Sequence, residues 1–258
     1  MTTPDAWDPD RYARFGEERR QPWDDLVALL SPLDRPRILD IGCGDGALTA
    51  ELHARLRAVE TVGVDSSPAM LARAAGHAGG GLRFEAGDAA TWTGGPFDLV
   101  FSNAALQWVP DHAALLPRLA GLVAPGGQLA VQVPMNERHA SHLEASETAA
   151  EPPFAEALGG YRSVSPVLAP EWYAESLFRL GFAARRVRIE VYGHPLASRD
   201  EVVEWVRGTL LTDYQRRLPE PLWPAFLDRY RQRLAAALPD QRPFLFTYRR
   251  LLLRARRA

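Results

Sequence analysis

The sequence predicts an α/β fold built on a parallel sheet with helices on both faces. Three observations carry that prediction. Five short apolar runs, at residues 37–41, 59–64, 82–86, 97–102 and 128–133, alternate with segments of helical period. The first four runs close on polar residues, Asp40, Asp65, Asp88 and Asn103. Ligands of open parallel sheets bind beyond the carboxyl ends of the strands, so these four residues mark one rim. Finally, Gly42, Gly44 and Gly46 separate the first run from a helix. Glycines there can take positive φ and bring bare backbone against a ligand, with the free N–H groups of the helix pointing at it.

The glycine spacing is G-x-G-x-G, which differs from the G-x-G-x-x-G of dinucleotide-binding turns. Asp40 adds a second difference, because a carboxylate at that position repels a pyrophosphate and attracts an ammonium. A nucleoside that carries positive charge fits both features, and S-adenosylmethionine is the expected cofactor. An NAD-dependent oxidoreductase fits neither.

In chain order, residues 1–21 are polar with Trp7, Tyr12 and Phe15 spread among them; such aromatics usually dock a terminal helix onto the core, and the alternative expectation is an N-terminal lid over a pocket. Residues 22–33 place Trp23, Leu26, Val27, Leu29 and Leu30 at helical spacing. The first strand and a helix over 45–57 follow. The second strand leads to Asp65, about twenty residues beyond the glycines, where a βαβ unit sets a carboxylate on ribose hydroxyls. Ser66-Ser67-Pro68 supplies a serine N-cap and a first-turn proline for a helix over 69–77. Met70, one turn in, can lie against an adenine face, although a helical Met is more often core filling. The third strand ends at Gly87-Asp88, where the acid can accept from an adenine amino group or cap a turn. The fourth ends at Asn103-Ala-Ala-Leu-Gln-Trp108, whose small residues admit a ligand. A helix over 111–123, a Pro125-Gly-Gly turn and the fifth strand complete the alternation.

After Pro134 the alternation breaks. Residues 136–169 hold an amphipathic piece and a Pro/Gly-rich loop, and 171–180 reads as a helix. Residues 185–192 alternate as a half-exposed strand. Helices over 198–211 and 219–238 follow, the latter with Leu222, Phe226, Tyr230 and Leu234 on one stripe, and 244–256 forms a closing strand. The expectation is a single domain, 1–258, with 136–169 and 194–243 as cap segments over the active site.

Composition narrows the chemistry. At 258 residues, 47% hydrophobic and 24% charged, the chain is an ordinary globular one. Its net charge of −2 gives no basic footprint for nucleic acid. None of the 30 basic residues is lysine, which removes Schiff-base and P-loop-lysine chemistry. No apolar run is long enough to span a bilayer and no signal-peptide pattern opens the chain, so a cytoplasmic protein with no membrane partner is expected. The single cysteine, Cys43, cannot form an internal disulfide and reads as a packed residue. His139 and His142 sit a helical turn apart without a carboxylate cluster to complete a metal site, so no metal is expected.

Taken together, these residues resemble class I S-adenosylmethionine-dependent methyltransferases. The likeness is carried by Asp40-Ile-Gly-Cys-Gly-Asp-Gly, Gly63-Val-Asp65, Gly87-Asp88 and Pro125-Gly-Gly. More narrowly the chain is similar to the trans-aconitate 2-methyltransferases. That likeness rests on Trp7-Asp-Pro, Tyr12, Phe15, Arg19, Asp65-Ser-Ser-Pro-Ala-Met, the stretch from Asn103 to His112 and Ala130-Val-Gln-Val-Pro. It continues through Ser141-His142, Tyr173, Tyr192-Gly-His194, Trp205-Val and Arg250-Leu.

The resemblance implies a Rossmann-like sheet of seven strands in the order 3-2-1-4-5-7-6. It implies a cofactor set of Asp40, Gly42, Gly44, Gly46, Asp65, Ser66, Met70, Asp88, Ala89 and Asn103. Asp40 and the glycines would hold the methionine amine, Asp65 the ribose and Asp88 the adenine amino group. The candidate acceptor set is Arg19, Trp108, His142, Tyr173, His194, Trp205 and Arg250. The implied acceptor is a small polycarboxylic acid, and the implied assembly a monomer or weak homo-oligomer.

One departure stands out. Thr212-Asp213 occupies a place where members of the family it resembles often carry Arg-Pro, and an acid on a loop facing the substrate would repel a polyanion. No catalytic base is expected for a carboxylate acceptor, since carboxyl groups titrate near pH 4 and are already ionised at pH 7. A phenol, near pH 10, would want a base or a metal. A non-catalytic protein that keeps the cofactor fold is the other class of reading, and the intact Asp40, Asp65 and Asp88 argue against it.

Overall fold

The computed structural model describes the backbone of residues 16–258 and the side chains from Arg20 onward. Most of the expected lid, with Trp7, Tyr12, Phe15 and the side chain of Arg19, lies outside the described residues.

The elements are α1 (Gly16–Ala28), β1 (Arg37–Ile41), α2 (Ala47–Arg55), β2 (Glu60–Asp65), α3 (Pro68–Ala74), β3 (Leu82–Ala86), β4 (Phe97–Asn103), α4 (His112–Gly121) and β5 (Val123–Pro134). They continue with α5 (Ala140–Ala149), α6 (Phe154–Ala157), α7 (Pro170–Arg179), β6 (Phe182–Leu196), α8 (Glu201–Arg207), α9 (Leu210–Arg217), α10 (Trp223–Ala237) and β7 (Phe244–Arg257). The sheet has seven strands in the order β3-β2-β1-β4-β5-β7-β6, as expected. β1 to β5 pair in parallel and β7 runs antiparallel to β5.

The chain divides into two compact units. The first comprises Glu17–Pro134, Pro166–Glu190 and Arg250–Ala258, and the second, among the described residues, Met135–Ser165 and Val191–Arg249. β6 and β7 contribute residues to both.

In the first unit the central strands are mainly apolar and buried. Ile38, Leu39, Leu99 and Val100 are fully buried. Trp23 and Leu26 of α1 and Leu52 of α2 pack with Leu99, Phe101, Ala130 and Leu252 into one core. The helix starts follow their caps. The Ser67 hydroxyl accepts from Met70 N at 3.3 Å and Pro68 takes the first turn of α3. Asp111 caps α4 by accepting from Ala114 N at 3.1 Å.

The second unit has its own core. Phe226, Tyr230 and Leu234 of α10 are buried with Val202, Val203, Leu211, Tyr214 and Phe246. Tyr214 stacks on Phe226 at 5.3 Å. Arg233 bridges Glu144 and Glu151 from α10.

Four expectations shift. α1 begins at Gly16 and runs through Pro22, because the burial of Trp23 and Leu26 outweighs the lost N–H. β5 starts at Val123 and incorporates Pro125-Gly-Gly, with an irregular register opposite Phe97 and Leu99. The helix expected over 198–211 is two helices, broken where Thr209 takes φ −134 and ψ −90. Thr212-Asp213 consequently lies in the first turns of α9, not on a loop. There the Asp213 carboxylate accepts from Arg216 and, at 3.4 Å, from the Tyr161 hydroxyl. Its charge is answered locally, which weakens the expected repulsion of an anion.

Candidate functional site

The carboxyl ends of β1, β2 and β4 carry Asp40, Asp65 and Asn103, as the sequence suggested. The glycine turn is folded onto this rim. Gly42 N and Cys43 N both donate to Val64 O, at 2.7 and 3.1 Å, tying the turn to the end of β2. Gly42 has φ +75, and a Cβ there would stand 2.1 Å from the Ala105 Cβ of the segment after β4, so no other residue fits. Gly44 has φ +57, and a Cβ on it would meet nothing within 4 Å, which leaves open space over bare backbone.

Asp65 organises the turn. Its Oδ2 accepts from Gly44 N at 2.9 Å and its Oδ1 accepts from Ser67 N at 2.9 Å. Each carboxylate oxygen retains a lone pair for a diol. Ser66 is exposed beside it, and Met70 is 8% exposed on α3. Asp88 is exposed beyond β3, and its Oδ1 accepts from Ala90 N at 2.7 Å, so it caps its own turn with the other oxygen uncommitted there. Ala89 is half-buried in the same turn.

Asp40 is 5% exposed, and its Oδ2 accepts from the Thr49 hydroxyl at 2.5 Å. Burial pushes its carboxyl up to about 7, with a further push from the Asp65 carboxylate, against the Thr49 bond that favours the ionised form. A cationic group next to Asp40 would reverse that cost. Asn103 Oδ1 is buried and has no hydrogen-bond partner. A ligand bearing an ammonium, a diol and an exocyclic amino group therefore meets the carboxylates of Asp40, Asp65 and Asp88 in this unit, with the unpaired Asn103 Oδ1 as a further acceptor, so these acceptors fit S-adenosylmethionine. Cys43 is buried and its thiol is pushed well up by burial, so it is a packed residue with no nucleophilic character.

The acceptor candidates fall into separate groups. In the first unit Trp108 ends the short helix Leu106–Trp108 after β4 and is 48% exposed. Tyr173 is 3% exposed on α7. Its hydroxyl bonds His112 Nδ1 and accepts from Leu168 N at 3.2 Å. His112 Nε2 faces Leu106 O at 2.9 Å, so Nε2 carries the proton and Nδ1 accepts from the phenol. Burial lowers the His112 pKa and keeps this neutral tautomer. Recruitment of Tyr173 by an acceptor would cost those bonds.

Tyr173→Phe is expected to lower stability by about 1–3 kcal/mol through the unpaired groups it leaves, with the acceptor KM unchanged. Thermal unfolding run beside steady-state kinetics checks this. A raised KM at unchanged stability would return Tyr173 to the acceptor set. Nothing local in the sequence marks the role of His112, because its partner lies 61 residues away along the chain.

In the second unit His194 and Trp205 come together. Their rings lie 4.6 Å apart, and Trp205 also packs on Phe246 at 5.5 Å. His139 reaches the same Phe246 at 5.0 Å. The Ser141 Oγ stands between His139 Nδ1 and His142 Nδ1, at 3.0 and 3.1 Å. His142, His194 and Trp205 thus belong to one connected cluster around Phe246. Burial, and then His139, push the His142 pKa down to about 4, so it is neutral at physiological pH. Arg250, in the first unit, is 5% exposed and donates through Nη1 to Gln132 Oε1 at 3.5 Å.

The likenesses to known proteins agree with this geometry. Residues 38–127, which hold the glycine turn and the rim, match a methyltransferase domain family. A trans-aconitate 2-methyltransferase of Deinococcus radiodurans is 42% identical over 258 residues, covering 98% of each chain. Another of Variovorax paradoxus is 41% identical over 238 residues, covering 90% of each. Among solved structures, the YcgJ protein from Bacillus subtilis superposes with a TM-score of 0.61 at 16% identity over 92% of this chain and 98% of that one, a likeness of fold. With two fifths of its residues shared along nearly its whole length, the chain belongs to the trans-aconitate 2-methyltransferase family of S-adenosylmethionine-dependent enzymes.

Proposed function

We propose that this protein methylates a carboxylate of trans-aconitate, giving a monomethyl ester. The observation that carries the proposal is the near full-length likeness to relatives bearing that name, which extends through the second unit as well as the rim. Bound S-adenosylmethionine would supply an electrophilic methyl group. The chain's own share is to hold and orient. Asp40 and the turn at Gly42, Gly44 and Gly46 take the amine end, Asp65 and Ser66 the ribose, and Met70, Asp88 and Ala89 the adenine, with Asn103 at the reacting end.

Acceptor recognition is assigned to Arg250, His142, His194, Trp205 and Trp108, with Arg19 as a further candidate, while Tyr173, its hydroxyl committed to His112 and Leu168 N, is assigned to packing. The two units are taken to act as one methyltransferase domain, with 136–169 and 194–243 as its acceptor-side cap. No side chain has to remove a proton, because the nucleophile is already ionised. Orientation can itself supply roughly 7–11 kcal/mol toward the barrier. A cytoplasmic site of action, as a monomer or weak homo-oligomer, belongs to the same proposal. The lone Cys43, unable to form an internal disulfide, supports it, and no helix among the described residues is long and apolar enough to cross a membrane.

An acceptor screen read by mass spectrometry tests the proposal. kcat/KM should be highest for trans-aconitate, lower for other small carboxylic acids and negligible for phenols. Preferential methylation of a phenol would overturn it.

A further inference from the structure

We propose that Gln132 and Arg250 form a carboxylate-binding subsite at the ends of β5 and β7, in which Gln132 determines specificity for a polycarboxylate acceptor. The inference rests on the proposed methylation of such an acid. Gln132 interrupts an otherwise apolar run, Leu129-Ala-Val-Gln-Val133, and is fully buried. Its Oε1 accepts from Arg250 Nη1 at 3.5 Å, the long end of the hydrogen-bonding range. Its Nε2 has no hydrogen-bond partner. Reversing the amide would turn its NH2 group toward the guanidinium, so Arg250 fixes the orientation and leaves the amide donor unused. A buried donor left unsatisfied is costly, and such groups in native proteins call for a reason.

The register supplies that reason. Gln132 pairs with Asn103 of β4 on one side and with Leu252 of β7 on the other, and Arg250 pairs with Pro134. Paired residues project from the same face, as do residues two apart on a strand, so Asn103 and Gln132 lie abreast on adjacent strands and Arg250 lies diagonally beyond Gln132 on the same face of the next strand. They stand one step beyond Phe101, Ala130 and Leu252, which belong to the core of the unit. Asn103 is the candidate contact at the reacting end of the cofactor. The next two strands, β5 and β7, therefore offer an amide N–H and a guanidinium as diagonal neighbours. A carboxylate accepts from both at once, the guanidinium giving charge and the amide a second direction. An incoming carboxylate would complete the donor that Gln132 holds out, with the guanidinium beside it supplying charge.

Gln132→Glu would place a competing carboxylate beside Arg250, and Gln132→Met would remove both polar atoms at similar length. The experiment measures steady-state kinetics with trans-aconitate. In parallel, calorimetry of the full chain loaded with S-adenosylhomocysteine uses propane-1,2,3-tricarboxylate as the probe. Gln132→Glu should raise the acceptor KM and the probe Kd roughly ten- to hundredfold, and Gln132→Met by less. kcat should change only a few-fold, and affinity for S-adenosylmethionine should stay at the wild-type value. The Met variant carries the test if the Glu variant fails to fold. A wild-type protein that does not bind the probe, or variants that bind it as well as wild type, would overturn the subsite. So would variants that lose thermal stability and cofactor affinity together while keeping the acceptor KM, the pattern of a purely structural residue. Probe binding that is lost in the variants, from a protein that methylates no carboxylate, would uphold the subsite and reject the proposed function.

Discussion

Asp65→Ala is expected to weaken S-adenosylmethionine binding by roughly two to four orders of magnitude. Two charge-assisted hydrogen bonds to the ribose diol are each worth about 1.5–3 kcal/mol, and their sum corresponds to a loss of that size. The same carboxylate accepts from Gly44 N and Ser67 N, so its removal also frees two backbone donors and loosens the turn under the methionine end. Asp65→Asn separates the two contributions, since its amide oxygen can still accept one backbone bond while the charge is gone. Titration calorimetry on both variants, with circular dichroism to check folding, reads the result. Wild-type affinity in a folded Asp65→Ala protein would remove Asp65 from the cofactor site.

The second large effect concerns pH and Asp40. With its carboxyl near 7 in the free protein, a growing fraction of Asp40 is protonated at lower pH and cannot pair with an ammonium. Cofactor affinity should fall toward tenfold per pH unit below about 7, as follows for one proton that must leave before binding. An α-amino group loses its own charge near pH 8, so affinity should peak between the two values.

The stability effect has the opposite sense. Asp40 titrates higher in the folded chain than in the unfolded one, where an Asp has a pKa near 3.9. Its contribution to stability is therefore fully present below about pH 4 and is lost as pH rises through about 7. Asp40→Asn should raise the melting temperature of the cofactor-free protein at pH 8, by an amount that shrinks toward pH 4. It should also weaken cofactor binding roughly ten- to hundredfold and abolish the fall in affinity below pH 7. A variant that keeps the wild-type pH profile would show that another group titrates.

The legibility of this chain depended on whether a signal was local. β1 to β4 could be read because each is an apolar run closed by a polar residue, and that pattern also located Asp40, Asp65 and Asn103 on one rim. The glycine turn could be read because positive φ and the approach of Ala105 leave glycine no substitute at Gly42. Tertiary packing overrode local preference elsewhere. Trp23 and Leu26 hold α1 together through Pro22, and the break at Gly208-Thr209 moved Thr212-Asp213 from a loop into α9.

Partners distant in sequence left little trace. His112 with Tyr173, and His139 and His194 around Phe246, join segments that no periodicity links. Gln132 did leave one, an amide inside the apolar run 129–133. Burial of an uncharged polar group at a strand end is the kind of cost that sequence pattern shows and only coordinates can assign.

The central claim is methyl transfer to an ionised carboxylate, and the most direct measurement follows the methyl group itself. The protein is incubated with trans-aconitate and S-adenosylmethionine carrying a deuterated methyl, and the product is analysed by mass spectrometry before and after mild alkali. The account predicts a single labelled methyl on trans-aconitate, released by alkali as labelled methanol with recovery of the free acid, as an ester requires. Absence of labelled product from the folded, cofactor-binding protein, or a labelled product that survives alkali, would contradict it.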